Sequence, residues 1–508
     1  MTSLPLILAT LMAPGTDAGE LTRVLDGALA RDKLAIDKLA DDHEFCRRIH
    51  LDLVGRVPTP AETRRFLAAP VATRRAELAK ALLASPQFAE AWASTLHLIL
   101  MERLGDNAEW NGFLKEFVSS NRSFRELTGQ MLDPGASGSP KGSGFFLSKR
   151  LENYGQNPVD YPSLTRDVGR LFLGMDLRCA QCHDHLTVPS YKQAHFQGLF
   201  AFTRQMVLGD AAKATVGEKP VAGKVSFSSV FDMEKMETGP SLPGRKPLDV
   251  PEVKAGEEYA VKPDRKTKSS GVPKVAMMPL LAKAVTEDDR LARTWANRLA
   301  RVLLGRGIVE SPDFDHPGNP PALPATLDAM ASALRSGMPL KTWLEGVVNS
   351  RLYQAPSGPA AGSGAAAFSR ALERPLTGEA LAASIETALG NGKRDEARLK
   401  RFRQVFGHPP REPDEAGHPS VEKALFWRND PAVRAMMSPE SGNLMERLLK
   451  LEGPALAEEL FLSLLGRPPA AEERDAVLAA VAKAPQPLEG RRIAAWALLA
   501  STEFQVNH

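Results

Sequence analysis

Cysteine is scarce in this chain: 508 residues contain three, too few for the disulfide framework that staples small secreted domains. Charge of one sign is missing as well, because 64 Lys and Arg stand against 61 Asp and Glu. That balance excludes the strong positive field of a nucleic-acid or anionic-membrane binder. No segment runs for the roughly 18 uninterrupted apolar residues that a membrane-spanning helix needs. Hydrolase and nucleotide signatures are absent too. His43-Glu44 has no second histidine at zincin spacing, the next being His50, and neither a Gly-x-Ser-x-Gly elbow nor a phosphate-binding glycine loop occurs. Enzymatic activity therefore has no residue-level support in the sequence.

What the chain does have is apolar content of 43% with 39 Gly and 39 Pro, enough to bury substantial cores in two or three domains. Helical periodicity dominates. Ser85-Pro86 opens a helix whose face carries Phe88, Trp92, Leu96 and Ile99, with Gly105 placed to close it. The same logic predicts helices from Leu323 to Leu334, from Pro339 through Val348, and from Thr377 to Leu389 with Gly390 as C-cap. A repeat is visible: Leu51-Asp-Leu-Val-Gly-Arg-Val-Pro58 with Glu62 matches Leu462-Ser-Leu-Leu-Gly-Arg-Pro-Pro469 with Glu473. Each copy ends on a Leu-Leu-Ala-Ser phrase, at Ser85 before Phe88 and at Ser501 before Phe504, and a degenerate copy runs from Leu303-Leu-Gly-Arg306 to Tyr353. These units read as structural, with the arginine after each glycine expected to bond the orphaned helix carbonyls. Cys46 is expected in a helical core and His97 as a satisfied boundary residue. Residues 207–275 differ, mixing Gly, Pro and Lys with short alternating runs such as Val225 to Phe231. The expected fold is mainly α, built of helical bundles or degenerate helical repeats, with a small β or loop-rich insertion in the middle.

The N-terminus begins with an apolar run from Met1 to Ala13, long enough for the core of a signal peptide, and Thr16 and Ala18 fill the small-residue positions for cleavage after Ala18. The expected organisation is a signal peptide over 1–18, a helical domain over 19–206, the insertion over 207–280 and a second helical domain over 281–508. A secreted, periplasmic or cell-surface location follows from that start.

Two of the three cysteines fall within Cys179-Ala-Gln-Cys-His183, and Cys-x-x-Cys-His is the attachment signature of a c-type haem. In that chemistry Cys179 and Cys182 form thioethers to the porphyrin and His183 supplies an axial nitrogen. His185, His195, Met175 and Met206 are candidates for the other axial position, and spacing does not choose among them. Three other readings of the motif stay open. The cysteines form a disulfide staple, or they bind zinc with His183, His185 or His195, or they act as a thioredoxin-like thiol pair.

Several of these stretches resemble a known pair of domains. Phe45 through Pro60, Leu82-Leu-Ala-Ser-Pro86 and the block from Phe172 to His185 resemble the planctomycete cytochrome-like PSCyt domain. Asn297-Arg298, Leu304-Gly-Arg-Gly307, Asn319-Pro-Pro321, Ala424 to Asn429 and the closing Ser501 to His508 resemble its companion, the PSD domain. Both are domains of unknown function. The resemblance implies an exported protein whose first domain is cytochrome-like through this same Cys-x-x-Cys-His stretch, although here Leu186-Thr187 replaces the family's proline after the second histidine. The leading expectation is an exported protein with one covalent haem c, acting in electron transfer or redox sensing with a redox partner. The alternatives are a helical scaffold or surface-binding protein whose motif is a staple or zinc site, and an enzyme acting on an extracellular polymer, which requires a polar cleft away from Cys182.

Overall fold

The computed structural model describes residues 17–152, 159–210, 213–220, 223–231, 234–264, 266, 269–359, 362–390, 395–411 and 420–508. Of the signal segment expected over 1–18, residues 1–16 lie outside the described residues, and Ala18 is the first residue of the first helix. The chain is mainly α, as the periodicity requires. In order the first helices are α1 (Ala18–Arg31), α2 (Asp42–Val54), α3 (Pro60–Ala68), α4 (Arg74–Ala84), α5 (Pro86–Met101), α6 (Ala108–Ser119), α7 (Phe124–Leu132), α8 (Phe145–Leu151), α9 (Tyr161–Leu173) and α10 (Gln193–Thr203). The insertion follows as three separate antiparallel pairs: β1 (Met206–Leu208) with β2 (Val216–Glu218), β3 (Val225–Phe227) with β4 (Met236–Thr238), and β5 (Tyr259–Val261) with β6 (Val272–Pro273).

Four further helices come next: α11 (Met277–Glu287), α12 (Asp289–Leu304), α13 (Pro324–Arg335) and α14 (Leu340–Val348). Strand β7 (Arg374–Pro375) leads into α15 (Gly378–Leu389), α16 (Glu396–Phe406), α17 (Val421–Asn429), α18 (Pro431–Met436), α19 (Leu444–Leu449), α20 (Gly453–Leu464), α21 (Ala471–Lys483), α22 (Pro487–Leu499) and α23 (Thr502–Gln505). The final strand β8 (Val506–Asn507) returns to pair with β7. Local signals account for many of these boundaries. Ser85 accepts a hydrogen bond from the Phe88 amide at 3.2 Å and Ser501 one from Phe504 at 3.3 Å, so both terminating phrases are N-caps of the helix that follows. Helix α5 ends earlier than Gly105 suggests: Glu102 and Arg103 take left-handed φ values of 46° and 59°, and tertiary ion pairs hold both side chains.

Two apolar clusters form the interior. The first runs from Leu21 to Phe368 and takes in α11–α14 together with α1–α10, so the blocks before and after the insertion share one core. The second gathers α15–α23 and receives Leu51 and Val57 from the first repeat unit. The repeat is geometric as well as textual. Gly55 and Gly466 have φ of 70° and 72°, a conformation that glycine adopts without the Cβ penalty. Arg56 then forms a two-pronged ion pair with Glu62 at 2.7 and 2.8 Å, and Arg467 does the same with Glu473 at 2.7 and 2.8 Å. These arginines therefore reach forward to the next helix's first-turn glutamate, with Val57 or Pro468 as their carbonyl partner, rather than back to the preceding helix's carbonyls. The two turns also face each other. A Cβ on Gly466 would lie 3.5 Å from Pro58, and the His43 Nδ1 bonds the Gly466 carbonyl at 3.0 Å. Arg47, 1% exposed, extends from α2 to the Leu464 carbonyl at 3.2 Å and the Phe504 carbonyl at 3.0 Å. Cys46 is fully buried, and Trp110 Nε1 donates to His97 Nδ1 at 3.0 Å.

Candidate functional site

The Cys179–His183 stretch is held by the end of α9. Gly174, φ 65°, caps that helix through its amide on the Arg170 carbonyl at 3.2 Å. The chain then folds back, with the Met175 amide on the Gly169 carbonyl at 3.0 Å and Leu177 fully buried. Cys179–Gln181 form one turn of 3₁₀ helix. Residues three apart eclipse in that geometry, which sends Cys179 and Cys182 to the same edge while Ala180 is buried beneath. Both thiols are exposed and free. Gln181 ties the turn to its neighbours: its side chain accepts from Arg166 on α9 at 2.6 Å, and its carbonyl accepts from Gln197 on α10 at 3.1 Å.

The three histidines of this region differ in a chemically decisive way. His183 Nδ1 faces the Asp184 carbonyl at 2.6 Å; a carbonyl only accepts, so the proton sits on Nδ1 and the lone pair on Nε2. His185 is the reverse. Its Nδ1 accepts from the Thr187 and Val188 amides at 3.2 and 3.1 Å, which places the proton of the neutral ring on Nε2. His195 Nδ1 likewise accepts from the Lys192 amide at 3.3 Å, and burial together with Arg290 holds this ring below the ordinary imidazole range. These tautomers are assigned from the partners each ring meets. Burial pushes the Asp184 carboxyl up, but the Gln193 amide and Lys192 ammonium outweigh it and hold the group below the usual carboxylate range.

Met175 is 7% exposed with its sulfur 3.3 Å from Arg290, and Met206 is fully buried. Among the described residues, no three His, Cys, Asp or Glu side chains converge closely enough to hold a metal ion, so the turn does not gather the cysteines with His183, His185 and His195 into a zinc site. The insertion supplies a neighbour that sequence reading missed. Its alternating run is a strand only over Val225–Phe227, after which the Val230 amide bonds the Cys182 carbonyl at 3.1 Å and the Phe231 ring lies tilted against His183 at 4.8 Å between ring centres. Val230, Phe231 and Leu186 are 65%, 72% and 74% exposed, leaving an apolar surface beside the thiols. Reachable thiols on one edge, an imidazole with a free Nε2 and adjacent apolar surface together fit covalent haem attachment.

A second feature lies elsewhere. A cleft of about 1360 Å³ opens where the two cores meet, and among the described residues none between Arg103 and Arg298 lines it. Asp52, from inside the first repeat unit, sits in its wall with a side chain 5% exposed. The carboxylate accepts from Tyr353 Oη at 2.8 Å and Asn507 Nδ2 at 2.8 Å and pairs with Arg374. Burial nonetheless raises the Asp52 carboxyl above its ordinary range, against the pull of Arg374 and Tyr353. The one sequence signal for this cleft is the repeat, whose local pattern reads as structural.

The PSCyt2 family, described as a protein of unknown function (DUF1549), matches residues 20–207. The PSD1 family, also described as a protein of unknown function (DUF1553), matches residues 280–398. No curated protein and no solved structure matches the chain.

Proposed function

We propose that this protein, a PSCyt2 domain followed by a PSD1 domain, carries one c-type haem on Cys179, Cys182 and His183 and serves electron transfer or redox sensing outside the cytoplasm. The observation that carries the reading is the hydrogen bonding of His183. Its Nδ1 is committed to the Asp184 carbonyl, which orients the ring and leaves Nε2 as the nitrogen a metal needs. His185 and His195 use Nδ1 as an acceptor and keep their protons on Nε2, so His183 alone of the three is prepared as a ligand.

The thiol placement supports the same reading, because thioether formation needs two reduced sulfurs reachable from one side. When bound, the haem supplies a one-electron iron couple whose potential is set by its axial ligands and exposure. The chain's own residues do the positioning: Ala180 anchors the turn, Gln181 fixes it to α9 and α10, and Val230 and Phe231 offer apolar contact. A surface location suits exchange with a redox partner. Export accords with the proposal, since thioether attachment of haem takes place outside the cytoplasm.

Protein made alongside a haem-ligation system should give a pyridine haemochrome spectrum and an intact mass raised by one haem. Cys182→Ser should lose the two-thioether spectrum, and the double variant with Cys179→Ser should keep no covalent chromophore. Colourless wild-type protein with both thiols free overturns the proposal.

A further inference from the structure

Most of the charges that line the cleft between the two cores are already matched. Arg56 pairs with Glu62 at 2.7 Å, Arg103 with Glu379 at 3.2 Å, and Arg301 with Glu310 at 2.7 Å, while Arg298 pairs with Asp313 and Arg374 with Asp52. The carboxylates of the wall are matched in turn: Glu102 receives Arg170 at 2.6 Å, and Glu90 receives Lys115 at 2.9 Å. A charged polymer entering this space would have to break existing pairs and would gain little net Coulomb energy for it. A neutral ligand would not.

The same pairs set donors and acceptors side by side. A hydroxyl group is donor and acceptor in one atom, so it can accept from a guanidinium and donate to the neighbouring carboxylate, and such bonds to ionised groups are the strong ones. A peptide carries its donors and acceptors on separate atoms and meets that pattern less well. Trp427, Trp496 and Phe406 add aromatic surface to the lining, and both indole N–H groups are already engaged, Trp496 with the Trp427 carbonyl at 2.8 Å and Trp427 with Gln505 at 3.0 Å. Trp427 is 5% exposed and packed against Phe402, Phe406 and Phe426, so half-buried Trp496 is the ring with an apolar, electron-rich face left to offer, against which the C–H face of a pyranose ring packs. At about 1360 Å³ the cleft exceeds the roughly 300–1,000 Å³ typical of a small-molecule pocket and accommodates several linked units.

Backbone strain points to the same place. Glu102 and Arg103, consecutive residues of the wall, both hold left-handed φ values, a conformation that is unfavourable for non-glycine residues and that clusters at functional sites. We propose that this cleft binds a neutral oligosaccharide, its hydroxyls bridging the paired arginines and carboxylates and a ring face lying on Trp496. The proposal is independent of haem at Cys179 and Cys182.

The test is isothermal titration calorimetry and tryptophan fluorescence on the full chain with linear hexasaccharides of glucose, mannose, xylose and N-acetylglucosamine. Oligogalacturonate, dextran sulfate and a proline-rich peptide serve as comparison probes. One or more neutral hexasaccharides should bind with a fluorescence change and an affinity insensitive to salt. Trp496→Ala should weaken that binding by about tenfold or more, and Ser94→Trp, which fills the cleft from α5 without removing a contact, should abolish it while leaving the far-UV circular dichroism and any haem spectrum unchanged. Absence of binding by all four neutral oligosaccharides, binding confined to the anionic or peptide probes, or binding that survives Ser94→Trp overturns the proposal.

Discussion

Glu218 caps α11 from another element: its carboxylate accepts from the Met277 and Met278 amides at 2.6 and 2.7 Å, a favourable place for negative charge at a helix N-terminus. Burial wins over those two bonds and pushes the carboxyl up to about 7 from 4.5. Between those values the folded protein holds a proton that the unfolded chain has released. The protonated cap therefore contributes fully below pH 4.5 and is lost as pH rises through about 7, a change on the order of 3 kcal/mol. Glu218→Gln retains the carbonyl acceptor and cannot ionise. From about pH 5 to about pH 8 the wild-type melting temperature should fall relative to that of Glu218→Gln; parallel curves would show that the carboxyl does not titrate in this window. The contrast among His183, His185 and His195 belongs to this scale too, since the partner of one nitrogen decides what the other can do. A Cys-x-x-Cys-His string discloses the side chains but not which carbonyl or amide each ring meets.

At the scale of elements, the repeated turn of helix, left-handed glycine, arginine and capped helix is a local device. It was legible because its parts are neighbours in sequence. Replacing Gly55 by Ala places a Cβ at φ 70° and 3.3 Å from the Ala91 side chain, and replacing Gly466 imposes the same backbone strain at φ 72°. Each change should lower stability by about 1–2 kcal/mol in chemical denaturation. Gly27 and Gly112 are helical and exposed, and a Cβ at either would meet nothing within 4 Å, so Gly27→Ala and Gly112→Ala should instead each raise stability by about 0.5–1 kcal/mol. Equal effects at all four positions would show that φ does not set the sign. The middle segment was less legible. Val225 to Phe231 alternates like one strand, yet pairing ends at Phe227 because the chain leaves β3 to meet Cys182 and His183, a contact between residues far apart in the chain that no local pattern encodes.

For the whole molecule, the question is which surfaces need each other. Helix α1 packs on α13 and α14, α7 on α11, and α9 on α12, so the helices before the insertion lean on those after it. A fragment from Asp17 to Asp210 would expose those faces and should bind a hydrophobic dye without a cooperative melt, whereas one from Asp17 to Leu372 should melt in a single calorimetric transition. A sharp transition in the shorter fragment would show that the first ten helices close their own core. The sequence by itself determined the helical class, many of the capped boundaries, the paired turns at Gly55 and Gly466, and the Cys-x-x-Cys-His turn with its two family domains, because these depend on residues within a few positions of one another. Tertiary structure alone decided that one core spans the insertion, that Phe231 lies against His183, and that Asp52, Arg374 and Asn507 meet in a cleft whose charges are mostly paired. Those outcomes depend on groups far apart in the chain, brought together only when apolar faces bury each other and leave their polar rims in contact.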